Sequence, residues 1–335
     1  MNIMDYPLIV AGSGRSGTTW VLDVLAEAND LRPVFEPLNP YAIMEAQPFA
    51  NRYIKEDAAD PELKKFLERS FKGELNYLWP NTRFLPSALK PSISEMTSWN
   101  YNYTLMSKYK KLVKRYCSYL RIKPFRPITK FIRANLMLDW IEVNFNARII
   151  YVVRHPGAVA ASKIAASRKK GGGEVWDFYG PQEQKILFRY KNDHQLKEDY
   201  LGKYFDIFEE KLTPAAGHTV LWCIENILPI FNQQKKNGHV FFYEDLVLNP
   251  EKEFDRIAKA LGLAKEPESN IIERPSQQVS QEMMSNRSVT DQLSRWMKSF
   301  NKEQLDEIER VLKFFNVAIY STEEPLPINK IQEIL

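Results

Sequence analysis

The segment Leu8-Ile-Val-Ala-Gly-Ser-Gly-Arg-Ser-Gly-Thr-Thr-Trp20 limits what this chain can fold into more than any other stretch. Leu8–Ala11 is a short apolar run and reads as a buried strand. A glycine-rich turn follows, and then Trp20, Val21, Val24 and Leu25 recur at helical spacing. A strand that turns through glycines straight into a helix leaves the first helical amides unpaired. Those amides and the positive end of the macrodipole then point at one place, which suits an anion. Glycine permits positive φ and lets a ligand come close to the backbone.

The spacing Gly12-x-x-x-x-Gly17-Thr18-Thr19 has the shape of a Walker A loop, with Thr18 where the nucleoside-triphosphate loop needs Lys. Without that Lys, a β/γ-phosphate and its magnesium lose their main clamp. The cation of this loop is Arg15 instead. The loop is expected to cradle a phosphate, and to do so poorly for ATP.

The chain has 335 residues, enough for one large domain, and its 44% hydrophobic and 26% charged content is that of a globular protein. A net charge of +4 is too small to imply nucleic acid. Basic residues cluster at Lys108–Lys123 and Arg168–Lys170, as a solvated face or against an anionic ligand. Cys117 and Cys223 give neither a disulfide framework nor metal-ligand spacing, and Cys223 reads as core. No Asp/Glu cluster argues for a metal. No signal peptide or membrane span is visible, so the default expectation is cytoplasmic.

Strands are expected at 33–36, 127–133, 148–154 and 239–243. Helices are expected at 58–72, 104–120, 135–145, 158–168, 182–197, 216–236, from Pro250 to near Gly262, at 289–296 and at 302–315. The alternation predicts a three-layer α/β/α fold around a parallel sheet. Residues 41–125 interrupt the βα rhythm and read as a helical insertion within one domain, 1–335.

A second anion site is suggested by Val152-Val-Arg154-His-Pro-Gly-Ala-Val-Ala-Ala-Ser162. Arg154 ends a buried strand, where α/β sheets bind ligands, and Ser162 lies in the following helix. Arg plus Ser can clamp a phosphate, so two separate anionic groups are expected on one ligand.

Taken together, these residues resemble the sulfotransferases that use 3′-phosphoadenosine 5′-phosphosulfate (PAPS). Gly14-Arg-Ser-Gly-Thr-Thr-Trp20 is similar to the family's 5′-phosphosulfate loop, and Tyr151–Ser162 to its 3′-phosphate site. Phe242-Tyr-Glu-Asp-Leu-Val-Leu-Asn-Pro250 resembles a third family segment. The resemblance covers about 8–40 and 127–315. Arg15 in place of Lys, and Val34-Phe-Glu36-Pro-Leu, are closest to the carbohydrate branch.

The resemblance implies roles. Gly14, Arg15, Ser16, Gly17, Thr18 and Thr19 would hold the 5′-phosphosulfate. Trp20 would stack on adenine and Tyr243 would meet its edge, with core burial as the rival reading for both. Arg154 and Ser162 would hold the 3′-phosphate, and Arg287 would add a contact. Arg15 would neutralise the leaving phosphate oxygen and Glu36 would act as base, its pKa raised by partial burial. A Glu36 paired with a nearby cation is the rival reading, and His194 the rival base. Lys130 and Arg133 would either steer an anion or form structural ion pairs. Tyr41, Tyr53, Tyr77, Trp79, Trp99, Tyr101 and Tyr103 offer aromatic platforms for an acceptor hydroxyl compound, a saccharide first and a lipid or secondary metabolite second. The competing activity is a P-loop small-molecule kinase. No nucleic-acid partner is expected.

Overall fold

The computed structural model describes residues 6–75, 126–169, 181–235, 239–264, 267–272 and 289–328. Five strands form one sheet in the order β2-β3-β1-β4-β5: β1 Leu8–Ala11, β2 Arg32–Phe35, β3 Pro127–Phe131, β4 Arg148–Val153 and β5 Val240–Phe242. Every neighbouring pair is parallel. Ala11 lies opposite both Phe131 and Tyr151, so β1 and β3 end level with each other while β4 continues to Val153.

The main helices are α1 Thr18–Ala28, α2 Pro61–Phe71, α3 Leu138–Phe145, α4 Pro156–Lys169, α5 Pro181–Lys191, α6 Pro214–Lys235, α7 Tyr243–Leu248, α8 Pro250–Leu261 and α9 Lys302–Phe314. Side chains alternate along a strand. Ile9, Ala11, Ile149, Tyr151 and Val153 therefore face one core, and Leu8, Val10, Ile150 and Val152 face the other. Residues from α2, α3, α4, α5, α6 and α9 pack in the first core, and residues from α1, α7 and α8 in the second. The strands are apolar on both faces because helices cover both. This is the predicted three-layer α/β fold.

Local chemistry explains the helix limits. Pro250 opens α8 and Gly262 closes it in the left-handed region, with Phe254, Ile257 and Leu261 on the buried face. Asn301 and Gln304 form a capping box at the start of α9. Pro229 inside α6 lacks an amide for the carbonyl of Glu225, which accepts the Tyr151 hydroxyl at 2.9 Å instead.

Some boundaries differ from expectation. The helix expected through residue 197 stops at Lys191, because Asp193 caps a new turn at His194–Leu196. A π-helical turn at Lys197–Leu201 and a 3₁₀ segment at Gly202–Glu209 continue it. Asn135–Met137 is a 3₁₀ turn ahead of α3. The last strand is shorter than expected, and Tyr243 starts α7 directly. Within the expected insertion, Phe49, Ile54, Leu63, Phe66 and Leu67 join the same core as Ile9 and Ala11. The expected helix at 104–120, Cys117, Tyr77, Trp79, Trp99, Tyr101 and Tyr103 lie outside the described residues. Cys223 is fully buried in the core, and burial pushes its thiol pKa up. Among the described residues, no helix is long and apolar enough to cross a membrane.

Candidate active site

The chain leaves β1 toward β2 on one side of the sheet and leaves β4 toward β5 on the other. Their carboxyl ends mark the topological switch point, where open α/β sheets take ligands. The glycine loop follows β1 and Arg154 follows β4, so the two sequence-predicted anion sites both lie at this switch point.

Gly17 is the N-cap of α1 at φ 86°, and no side chain caps that helix. A Cβ on Gly17 would collide with the Tyr243 ring, and one on Gly12 with the carbonyl of Val152. The loop thus packs closer to β4 and α7 than any other residue would allow. Ser13 and Ser16 are buried and share a 2.8 Å hydroxyl contact that ties the loop together. Thr18 and Thr19 are buried at the start of α1.

Arg15 and Arg154 meet at the loop. Arg15 Nε donates to Ser162 Oγ at 2.9 Å, and Arg154 Nη1 donates to the carbonyl of Arg15 at 3.1 Å. Arg154 also lies 4.4 Å over the Tyr243 ring. Ser162, expected beside Arg154 as a phosphate clamp, is held by Arg15 here. Loss of water around the Arg15 guanidinium, and then the like charge of Arg154, hold its pKa below the ordinary value. Arg154 Nε is buried without a hydrogen-bond partner among the described residues. A bound anion would relieve both conditions, so these residues fit a phosphorylated nucleotide.

Trp20 and Tyr243 meet edge to face, with centroids 6.2 Å apart. Trp20 also packs edge-on to Phe254, and its indole N–H donates to the Ile272 carbonyl at 3.0 Å. Trp20 is therefore largely a packing residue of the second core.

Glu36 is buried and doubly paired. Lys130 Nζ lies 2.9 Å from Oε1 and Arg133 Nη1 lies 3.0 Å from Oε2. Lys130 also donates to Thr19 Oγ1 at 3.0 Å, which links Glu36 to the loop. The contacts are those of the rival reading, a Glu36 paired with nearby cations, and the carboxylate is fully rather than partly buried. Glu36 directly follows β2, Lys130 lies in β3 and Arg133 just follows it, so the pairing of β2 with β3 brings them together. Burial lowers the Lys130 pKa while Glu36 resists that shift.

Backbone strain marks the same two side chains. Among the described residues, positive φ outside glycine occurs at Asp30, Asn51, Asn146 and Asn316, types that tolerate it, and at Arg15 (76°) and Glu36 (50°), which do not. Such conformations cost on the order of 1–3 kcal/mol each and gather at functional sites.

Other predicted residues lie elsewhere. His194 is exposed on the turn capped by Asp193, beside the strap that contains Tyr53. Tyr53 donates to Asp199 Oδ2 at 3.0 Å, and Tyr41 is 67% exposed. Arg287 lies outside the described residues. Sequence reading missed Lys163, His218 and Glu225. Lys163 approaches Gly14, and His218 and Glu225 feel its charge. Its only sequence signal was its place next to Ser162. A cleft of about 440 Å³ is lined by Tyr53, Lys55, Asn135, Asp139, Leu228 and Pro229, among others. Both amide atoms of Asn135 are buried there without hydrogen-bond partners among the described residues.

Residues 5–313 match the family model described as a sulfotransferase domain, and the chain belongs to that family. The family generally uses PAPS as its sulfate donor. No protein of curated function matches the chain. Among solved structures, the chain is similar to the sulfotransferase domain from the curacin biosynthetic pathway. That pair has 15% identity over 94% of this chain and 99% of the other, with TM-score 0.47. It is also similar to the sulfotransferase domain of the Synechococcus PCC 7002 olefin synthase, at 17% identity over 93% and 96%, with TM-score 0.43. Sulfotransferase STF9 from Mycobacterium avium matches at 14% identity over 94% and 76%, with TM-score 0.34.

Proposed function

We propose that this protein transfers the sulfonate of PAPS to a hydroxyl group of a carbohydrate or glycoconjugate. The chain would act as one domain, with residues 41–125 contributing to the acceptor site. The observation that carries this reading is the pair of guanidiniums at an uncapped helix start, one of them with a buried Nε that lacks a partner among the described residues.

When bound, PAPS supplies a sulfonyl group already joined to a phosphate leaving group. The amides that open α1 and the hydroxyls of Ser16, Thr18 and Thr19 hold the 5′ end. Arg154 and Ser162 hold the 3′-phosphate, Ser162 exchanging its present bond to Arg15 for one to the ligand. Tyr243 and the edge of Trp20 border the base. Arg15 would neutralise charge on the phosphate leaving group of a bound donor. Glu36 takes the proton of the acceptor hydroxyl as the new oxygen–sulfur bond forms, giving up its outer partner Arg133 and keeping Lys130. The sugar assignment draws support from the Phe35-Glu36-Pro37 segment and from the mixed polar and apolar cleft beside Asn135.

Calorimetric titration with 3′-phosphoadenosine 5′-phosphate (PAP) tests the donor half. Wild type should bind PAP in preference to ATP. Arg154→Ala should weaken PAP binding roughly tenfold or more, since a hydrogen bond to a charged group is worth about 1.5–3 kcal/mol. Unchanged PAP affinity in that variant, or a preference for ATP, would overturn the assignment. A mass-resolved transfer screen over sugars, lipids and phenols tests the acceptor half.

A further inference from the structure

The two ends of the glycine loop have different neighbours. At the Gly17 end stand Tyr243, close enough to forbid a Cβ, and Arg154 stacked on that ring. At the Gly14 end stand Ile132 and Lys163. A Cβ on Gly14 would lie 3.5 Å from Ile132 Cδ1 and 4.0 Å from Lys163 Cε. Lys163 follows Ser162 on α4, so its side chain leaves the helix next to the hydroxyl that holds Arg15.

The charge of Lys163 is felt by two groups on α6. It adds to the burial that holds the His218 imidazole pKa at about 3, and it opposes the burial that raises Glu225. Arg133, the partner of Glu36, acts on Glu225 in the same direction. The Lys163 side chain therefore lies at the Gly14 end of the loop and faces α6. No described carboxylate comes within ion-pair distance of it. A cation so placed is available to an anion that arrives from the loop.

We propose that Lys163 contacts the terminal sulfonate of the donor at the Gly14 end of the loop. The proposal rests on the PAPS reading. If the base and 3′-phosphate occupy the Tyr243 and Arg154 end, the outermost group of the 5′ chain extends toward Gly14. An ammonium on a flexible stem can follow a sulfonate as a point charge, whereas the planar forks of Arg15 and Arg154 suit fixed bidentate contacts. Lys163 is then the residue that distinguishes loaded donor from spent nucleotide.

The test compares PAPS with PAP, which lacks the sulfonate, by equilibrium binding to the intact protein. Lys163→Met should weaken PAPS roughly tenfold and leave PAP within about twofold, the size expected for one charge-assisted hydrogen bond. Lys163→Arg should recover part of the loss for PAPS. Retained PAP binding shows that the Met variant is folded, and Lys163→Gln gives a second polar control. Equal losses for both nucleotides, or no loss for either, would overturn the proposal. Failure of wild type to bind either nucleotide would overturn the donor reading and this proposal with it, and that outcome is visible before any variant is made.

Discussion

Glu36 carries two demands that pull against each other. It must accept a proton in the proposed reaction, and it also neutralises the buried Lys130 and the partly buried Arg133. Glu36→Gln removes the charge and keeps the shape. Single-turnover transfer at saturating PAPS should fall by about 10²–10⁴, the usual loss on removing a general base. Thermal unfolding should also show a destabilised protein, since breaking one side of a buried pair costs about 3–5 kcal/mol. A Gln variant as stable and as active as wild type would leave the carboxylate without either job. At this scale the loop residues were legible because their signal is local: glycines, hydroxyls and Arg15 within a few positions. Lys130 and Arg133 were named in the sequence as candidate ion-pair residues but not tied to Glu36, because sheet register, not spacing, pairs residue 36 with residues 130 and 133. Lys163 had still less signal, since only the fold carries α4 across the loop.

At the scale of elements, the turn between β4 and α4 joins the switch point to the far end of the chain. His155 accepts the Gly157 amide at Nδ1, and its Nε2 lies 2.9 Å from the Ser321 carbonyl. Its ring stacks on Trp296 at 4.2 Å, and a Cβ on Gly157 would collide with that same indole. The Arg154 carbonyl accepts the Trp222 indole N–H at 2.9 Å. Gly157→Ala should therefore overpack the turn at a cost of about 1–3 kcal/mol. A fall in melting temperature of several degrees, with weaker PAP binding as Arg154 shifts, is the expected result. Elements with terminal signals, such as α8 between Pro250 and Gly262, were readable from sequence. The run from His194 to Glu209 was not, because its mixed α, π and 3₁₀ turns follow packing onto the core and carry no single period.

At the scale of the whole molecule, two buried histidines make stability depend on acid. Burial lowers His155 and His218 from the ordinary 6.5 to about 3. Their stabilising contribution is fully present above the unfolded value and is lost as the pH falls below it, because the unfolded chain binds the protons first. Each should cost roughly 2 kcal/mol by pH 5. Glu225 and Glu244, raised by burial, act in the opposite sense and gain stability as the pH falls. Urea unfolding at pH 7 and pH 5 should show a steeper loss in wild type than in His155→Gln. Equal slopes would mean that His155 can take up its proton without cost. The α/β layering was legible at this scale because a parallel sheet covered on both faces leaves continuous apolar strands in the sequence. Which helices cover which face was not, since both cores draw on similar residues.

The turn at Arg154 to Gly157 has one more consequence. The Arg154 guanidinium, proposed to hold the donor, and the His155 imidazole, which contacts Trp296 and Ser321, are chain neighbours, so a shift of one is felt by the other. Selection on donor affinity can therefore act on residues that never approach the nucleotide. A protein engineer seeking to retune the site has a remote handle in residues 296 to 321, where a changed fit around Trp296 or Tyr320 would reset the pose of Arg154 while the proposed site keeps its own chemistry.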